Sequence, residues 1–214
     1  MAESGFSFSR GDLVKERSLL DVYKIARLSP ANGSNVFVAT VAFFISATYS
    51  IISFSHPVDV LSLLRQITGD AIAFAASILG FLIAGFTIFV TSRPSIFYIM
   101  AKNEYESTGV SYLKYNLSVF LLVFIHYLLF SISCLAIRVF FSTNGPASVI
   151  LSSIPVSPDA LTIIKSSGIC ITFPIFTAWL FYILMLLKSF IFNIYHIVLT
   201  GIALTIDDDG NEIK

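Results

Sequence analysis

Charge is scarce in this chain: thirteen basic and thirteen acidic side chains make up only 12% of its 214 residues, whereas a soluble domain carries roughly 25%. With 56% of its residues hydrophobic, a water-soluble fold of this size could not hide its apolar surface. The two signs cancel to a net charge of zero, so nothing points to nucleic acid or to an acidic substrate. Cysteine is limited to Cys134 and Cys170. Both lie within apolar runs, which reads as buried thiols and speaks against a disulfide framework or a metal site. There is no glycine-rich phosphate loop after a strand, no metal spacing of His with acidic residues, and no Ser or Cys with a base at helical spacing. The expectation is a non-enzymatic protein without catalytic residues, cofactor, bound metal or direct nucleic-acid contact.

What the chain has instead is long apolar runs. A hydrocarbon core of about 30 Å takes roughly 20 helical residues at 1.5 Å each. Four runs qualify: Asn35 to Ser55, Ala71 to Ser92, Asn116 to Phe141, and one beginning near Gly168. Each must be helical, because backbone polar groups in lipid have to be satisfied within the segment. The fold class is therefore all-α, a polytopic membrane protein of four transmembrane helices. The first 34 residues are polar and mixed in charge, unlike a signal peptide, so the first helix is expected to remain as an anchor.

Lys and Arg in short flanking segments resist translocation and set orientation. Arg10, Lys15, Arg17, Lys24, Arg27, Arg93, Lys102 and Lys114 lie on one side, against Arg65, Lys165 and Arg138 on the other. This places both termini in the cytoplasm. Three regions follow: an amphipathic cytoplasmic segment over 1–34, the transmembrane domain over 35–187, and a helical extension with an acidic tail over 188–214.

The last run overshoots a bilayer. Ile169 to Leu187 reads as the span, with Lys188 snorkelling to the cytoplasmic headgroups and the helix continuing beyond it. That continuation carries Phe190, Phe192, Tyr195 and Leu199 and is apolar nearly all round, so something must cover it. A homo-oligomer, with a tetramer as the candidate assembly, and a cytoplasmic protein partner are the expected occupants. These four residues and Lys188 are the candidate coupling site.

In the second run, Ala76, Gly80 and Ala84 recur every four residues, a pattern that lets membrane helices approach closely and that would alternatively line a pore. His126 sits near the middle of the third run, where an ionisable group is costly. It is read either as a hydrogen-bonded packing residue or as a pore-lining one. Pro174 is expected in the first turns of the fourth helix. The loop from Ser142 to Ser167 is expected to be the largest external element, and His56 to Asp70 a short amphipathic helix on the outer surface. Asp207 to Gly210 resembles a calcium loop only superficially, lacking the ligand spacing of an EF-hand.

The stretch SILGFLIAGFTIFVTSRPSIF, about a tenth of the chain, resembles small bacterial inner-membrane proteins of prophages and defence islands. In layout the chain is most similar to the KwaA family, the membrane subunit of the Kiwa antiphage system. The resemblance implies a sensor of phage attack at the bacterial inner membrane that works with a cytoplasmic KwaB-like partner. No site residue carries over. The expected function is thus a non-enzymatic, oligomeric membrane sensor or scaffold, with a channel or membrane-permeabilising effector as the alternative.

Overall fold

Runs this apolar can satisfy their backbone in lipid only as helices, and the computed structural model, which describes residues 15–27, 32–92, 94–105 and 109–203, is helical along nearly all of them. Seven helices and one strand pair are described: α1 (Leu19–Ala26), α2 (Gly33–Ile52), α3 (Pro57–Ser92), α4 (Pro94–Lys102), β1 (Glu104–Tyr105), β2 (Val110–Ser111), α5 (Tyr112–Phe140), α6 (Pro146–Ser152) and α7 (Pro158–Ala203). The strands pair antiparallel, Glu104 with Ser111 and Tyr105 with Val110. Gly109, just before β2, takes a positive φ of 65° that a side chain would resist. Four helices, α2, α3, α5 and α7, are long and apolar enough to cross a membrane. The chain is an all-α, multi-pass membrane protein.

Start signals explain where the helices begin. Ser18 caps α1: its hydroxyl accepts from the Asp21 amide (3.2 Å) and donates to the Asp21 carboxylate (2.8 Å). That bond holds the Asp21 carboxyl below its usual range. The Asn32 side chain accepts from the Ser34 amide at the head of α2. Ser157 accepts from the Ala160 amide at the head of α7, whose first residue is Pro158 and whose first turn holds Asp159.

Two boundaries differ from the sequence expectation. The segment before Ala71 is not a separate surface helix, because α3 runs unbroken from Pro57 for 36 residues, about 54 Å. Gly69 alone does not break it, since one glycine inside a helix costs only about 1 kcal/mol. The loop from Ser142 to Ser167 contracts likewise: α6 fills its middle and α7 starts at Pro158, inside it. As a result Pro174 lies sixteen residues into α7, mid-helix and buried. There it removes the amide that would bond the Cys170 carbonyl, a loss that membrane helices tolerate. Past Lys188 the helix continues as expected, and α7 reaches Ala203 as one helix of 46 residues.

The chain divides into two compact units, one of Asn32–Phe81 with His126–Leu186, the other of Met1–Ala31, Leu82–Ile125 and Leu187–Lys214. In the first, α3 buries Val60, Leu64, Thr68, Ala71 and Ala75, which at steps of three and four residues share one face. α5 buries Tyr127, Phe130 and Cys134. Phe130 stacks on Phe176 of α7 at 5.1 Å and meets Trp179 edge-on at 5.5 Å, and the Tyr127 hydroxyl donates to the Ile183 carbonyl at 3.0 Å. α2 joins α7 through Tyr49 against Phe173 and through the Cys170 thiol, which donates to the Ser50 carbonyl at 3.1 Å. Both cysteines are free thiols, Cys134 buried and Cys170 half-buried. An apolar groove of about 460 Å³ opens between α2 and α7, past Val41, Ile45 and Phe181. Of the hydroxyl-bearing residues that line it, Ser46 and Thr177 donate back to carbonyls of their own helices.

In the second unit, Phe120 of α5 lies between Phe86 of α3 (4.7 Å) and Phe190 of α7 (5.1 Å). Val119 and Val123 of α5, Met100 of α4 and Ala26 of α1 are buried in the same unit. An ion pair of 2.6 Å joins Glu16 to Lys114, both side chains only about 15% exposed (16% and 15%). A pair so withdrawn from water is destabilising to break, because the remaining charge loses an opposite charge held close to it. Glu16→Gln is expected to weaken docking of the N-terminal segment by up to about 3 kcal/mol, read as faster amide exchange over residues 18–26. The charge swap Glu16→Lys with Lys114→Glu should restore protection, and unchanged exchange in Glu16→Gln would show that the pair holds nothing.

Candidate functional site

A helix of 46 residues is about 69 Å long, more than twice the thickness of a hydrocarbon core. Part of α7 must therefore lie outside the membrane. If Ile169 to Leu187 is the span, ten residues and more project at each end. The C-terminal projection is the more apolar, and the structure divides its residues between two roles.

Phe190 faces inward. It is 3% exposed and packs edge-on against Phe120, so it belongs to the internal packing of its unit and not to a free coupling surface as expected from sequence. Phe192, Tyr195 and Leu199 are exposed, together with Ile191 and Val198. At about 100° per residue these five positions fall within an arc of roughly 120°, forming one continuous apolar face. His196 closes against it, its ring 4.5 Å from Phe192 and 5.8 Å from Tyr195. Lys188 is exposed at the root of the projection. Sequence periodicity missed the division because aliphatic and aromatic residues surround the helix on all sides. Only the position of Phe120 reveals which side is already occupied.

The small residues expected to pack helices or line a pore lie on the open side of α3. Ala76, Gly80 and Ala84 are all exposed, and a Cβ added to Gly80 would meet nothing within 4 Å. The packed face of α3 is the neighbouring one through Ala71, Ala75 and Leu82. The four-residue spacing is compatible with close approach, but among the described residues no helix packs on it. His126 is half-buried on α5, its ring edge-on to Tyr182 of α7 at 5.7 Å.

Among the described residues no three His, Cys, Asp or Glu side chains are grouped so as to hold a metal ion. The acidic run from Asp207 and the part of the expected N-terminal amphipathic segment before Lys15 lie outside the described residues. Two basic residues that served only to orient the sequence, Arg65 and Arg138, come together at the end where α3 begins and α5 finishes. The Arg65 Nε donates to the Phe141 carbonyl at 2.6 Å, and Arg138 lies over Gly69, its Nη1 3.3 Å from where a Cβ would stand. The chain matches no protein-family model, no curated protein and no solved structure, so a functional reading has to stand on these residues alone.

Proposed function

We propose that the protein is a non-enzymatic, oligomeric sensor or scaffold of the bacterial inner membrane that passes a signal from the envelope to a cytoplasmic effector. The observation that carries this reading is the exposed apolar face of α7 beyond Lys188. A face of five large apolar side chains outside the hydrocarbon layer is unstable in water, and it is continuous with a membrane helix. Movement of helices within the bilayer would therefore change what the projection presents. Discrete repacking of such interfaces is a common way for a signal to cross. The excess of Lys and Arg on the side of the termini supports a cytoplasmic location for both ends. An antiphage role rests on the resemblance of the Ser77 to Phe97 stretch to small membrane proteins of defence islands, and a KwaB-like partner on the likeness of the four-span layout and apolar extension to the KwaA family.

The test is a pull-down from the native host of detergent-solubilised full-length protein beside a version truncated after Lys188, with native mass measured for each. The full-length protein should be oligomeric and retain a cytoplasmic protein that the truncation loses. A full-length monomer without partner would refute the proposal. The exposed Ala76, Gly80 and Ala84 face favours a second reading, a channel assembled along it. Expression of the protein alone separates the two: a channel dissipates membrane potential, and Gly80→Leu abolishes that, whereas a sensor without its effector leaves the potential intact.

A further inference from the structure

Arg65 and Gly69 stand one helical turn apart on α3, and Arg138 and Phe141 roughly one turn apart at the end of α5. The two helices run antiparallel here, since Arg65 reaches Phe141 while Arg138 reaches Gly69. Both guanidinium groups therefore sit along one seam, within roughly two helical turns of each other. The Arg138 Nη1 lies 3.3 Å from where a Gly69 Cβ would stand, so a branched side chain at 69 would crowd the guanidinium.

Among the described residues neither cation has an acidic partner. The ion pairs among the described residues are Lys24 with Asp21 and Lys114 with Glu16, and Asp59, Asp70 and Asp159, the acids nearest these helix ends in sequence, pair with neither arginine. Arg65 uses its Nε on the Phe141 carbonyl, which leaves the Nη edge of its fork for another acceptor. Two like charges on one seam, with no acidic partner among the described residues, repel, and a guanidinium fork matches phosphate oxygens in geometry. The depth fits as well. The apolar run of α3 begins at Ala71, two residues after Gly69, and that of α5 ends at Phe141, three after Arg138, so the seam lies where hydrocarbon gives way to headgroups.

We propose that Arg65 and Arg138 form a phosphate-binding site at this membrane boundary. The Arg138 guanidinium and the free edge of Arg65 donate to the phosphate oxygens. The phosphate is that of a phospholipid headgroup or a free phosphate ion, and the ligand bridges α3 to α5.

The test uses full-length protein in neutral detergent. Phosphatidylglycerol, phosphatidylcholine and inorganic phosphate are titrated separately, with native mass spectrometry and the thermal midpoint as readouts. Arg138→Gln removes one donor set. Gly69→Val keeps both charges and displaces Arg138. Arg65→Gln is less informative alone, because it also uncaps α5. The expected result is lipid adducts with phosphatidylglycerol that weaken at least about fivefold in Arg138→Gln and in Gly69→Val, as loss of one interfacial cation predicts. Saturation by inorganic phosphate alone, lost in the same variants, would support the site and assign it to the free ion. Binding of all three probes that is unaltered in Arg138→Gln and in Gly69→Val would overturn the proposal, as would the absence of binding in the unmodified protein.

Discussion

Replacing Phe130 by alanine is expected to lower the stability of the folded protein by about 3 kcal/mol, the low end of the range for removing a buried phenyl ring. The ring is fully buried, stacked on Phe176 and edge-on to Trp179, so it holds α5 against α7 through two aromatic contacts. In a soluble core part of the penalty would be the return of apolar surface to water. A membrane helix that separates from its neighbours meets lipid instead, which is as apolar as the protein interior. What remains is the cavity and the lost ring contacts, each aromatic pair contributing about 0.5–1.5 kcal/mol beyond its area. Tyr127→Phe, one turn away, provides the comparison. It removes the bond to the Ile183 carbonyl and keeps the ring, and interhelical hydrogen bonds in membranes average about 0.6 kcal/mol. Unfolding in mixed micelles should rank Phe130→Ala well below Tyr127→Phe. Equal, small losses would mean that the α5 to α7 contact is not what holds this unit together.

That contact was not legible in the sequence, although the helices were. The four spans were visible because only a helix can satisfy so long an apolar run in lipid, and the ends of α2 fall within three residues of the expected ones. The faces were not, for a physical reason. Where lipid is the solvent, hydrophobicity no longer separates inside from outside, and the periodicity that betrays the core of a soluble helix fades. Phe130 and its neighbour Leu129 are equally apolar, yet the first is buried and the second 47% exposed. Small residues do not name their partner either: Ala76, Gly80 and Ala84 carry the close-packing spacing and are exposed, whereas Ala71 and Ala75 are buried. The boundaries of α3 and α7 were misplaced because they were set by where hydropathy falls, whereas helices end where backbone signals stop them. Asp59, Arg65 and Asp70 lower hydropathy without breaking a helix, and the Ser157, Pro158, Asp159 start was passed over as loop. The docking of Glu16 on Lys114 joins residues 98 positions apart and had no local signature.

A paired substitution on the α7 projection, Phe192→Glu with Leu199→Glu, is expected to convert the proposed oligomer to monomers. The two side chains are 60% and 45% exposed and lie on the face shared with Ile191, Tyr195 and Val198. Full burial of one large apolar side chain contributes about 1.5–3 kcal/mol, and these five have roughly half of that left to gain. Covering the face would then yield on the order of 4–7 kcal/mol per protomer, before the cost of association, which is of similar size. An interface balanced so closely cannot accept two carboxylates that must give up their hydration. The same substitution decides what covers the face. If lipid does, because α7 is displaced along its axis so that residues 191–199 lie in the bilayer, the glutamates will impair insertion and lower the amount of protein in the membrane. If a second copy does, insertion and yield stay as in the unmodified protein, the Phe120 and Phe190 contact on the opposite side of the helix is untouched, and native mass falls to that of a single chain. An unchanged oligomer at normal yield would place the assembly contact elsewhere, and the exposed Ala76, Gly80 and Ala84 face of α3 would then be the surface to substitute next.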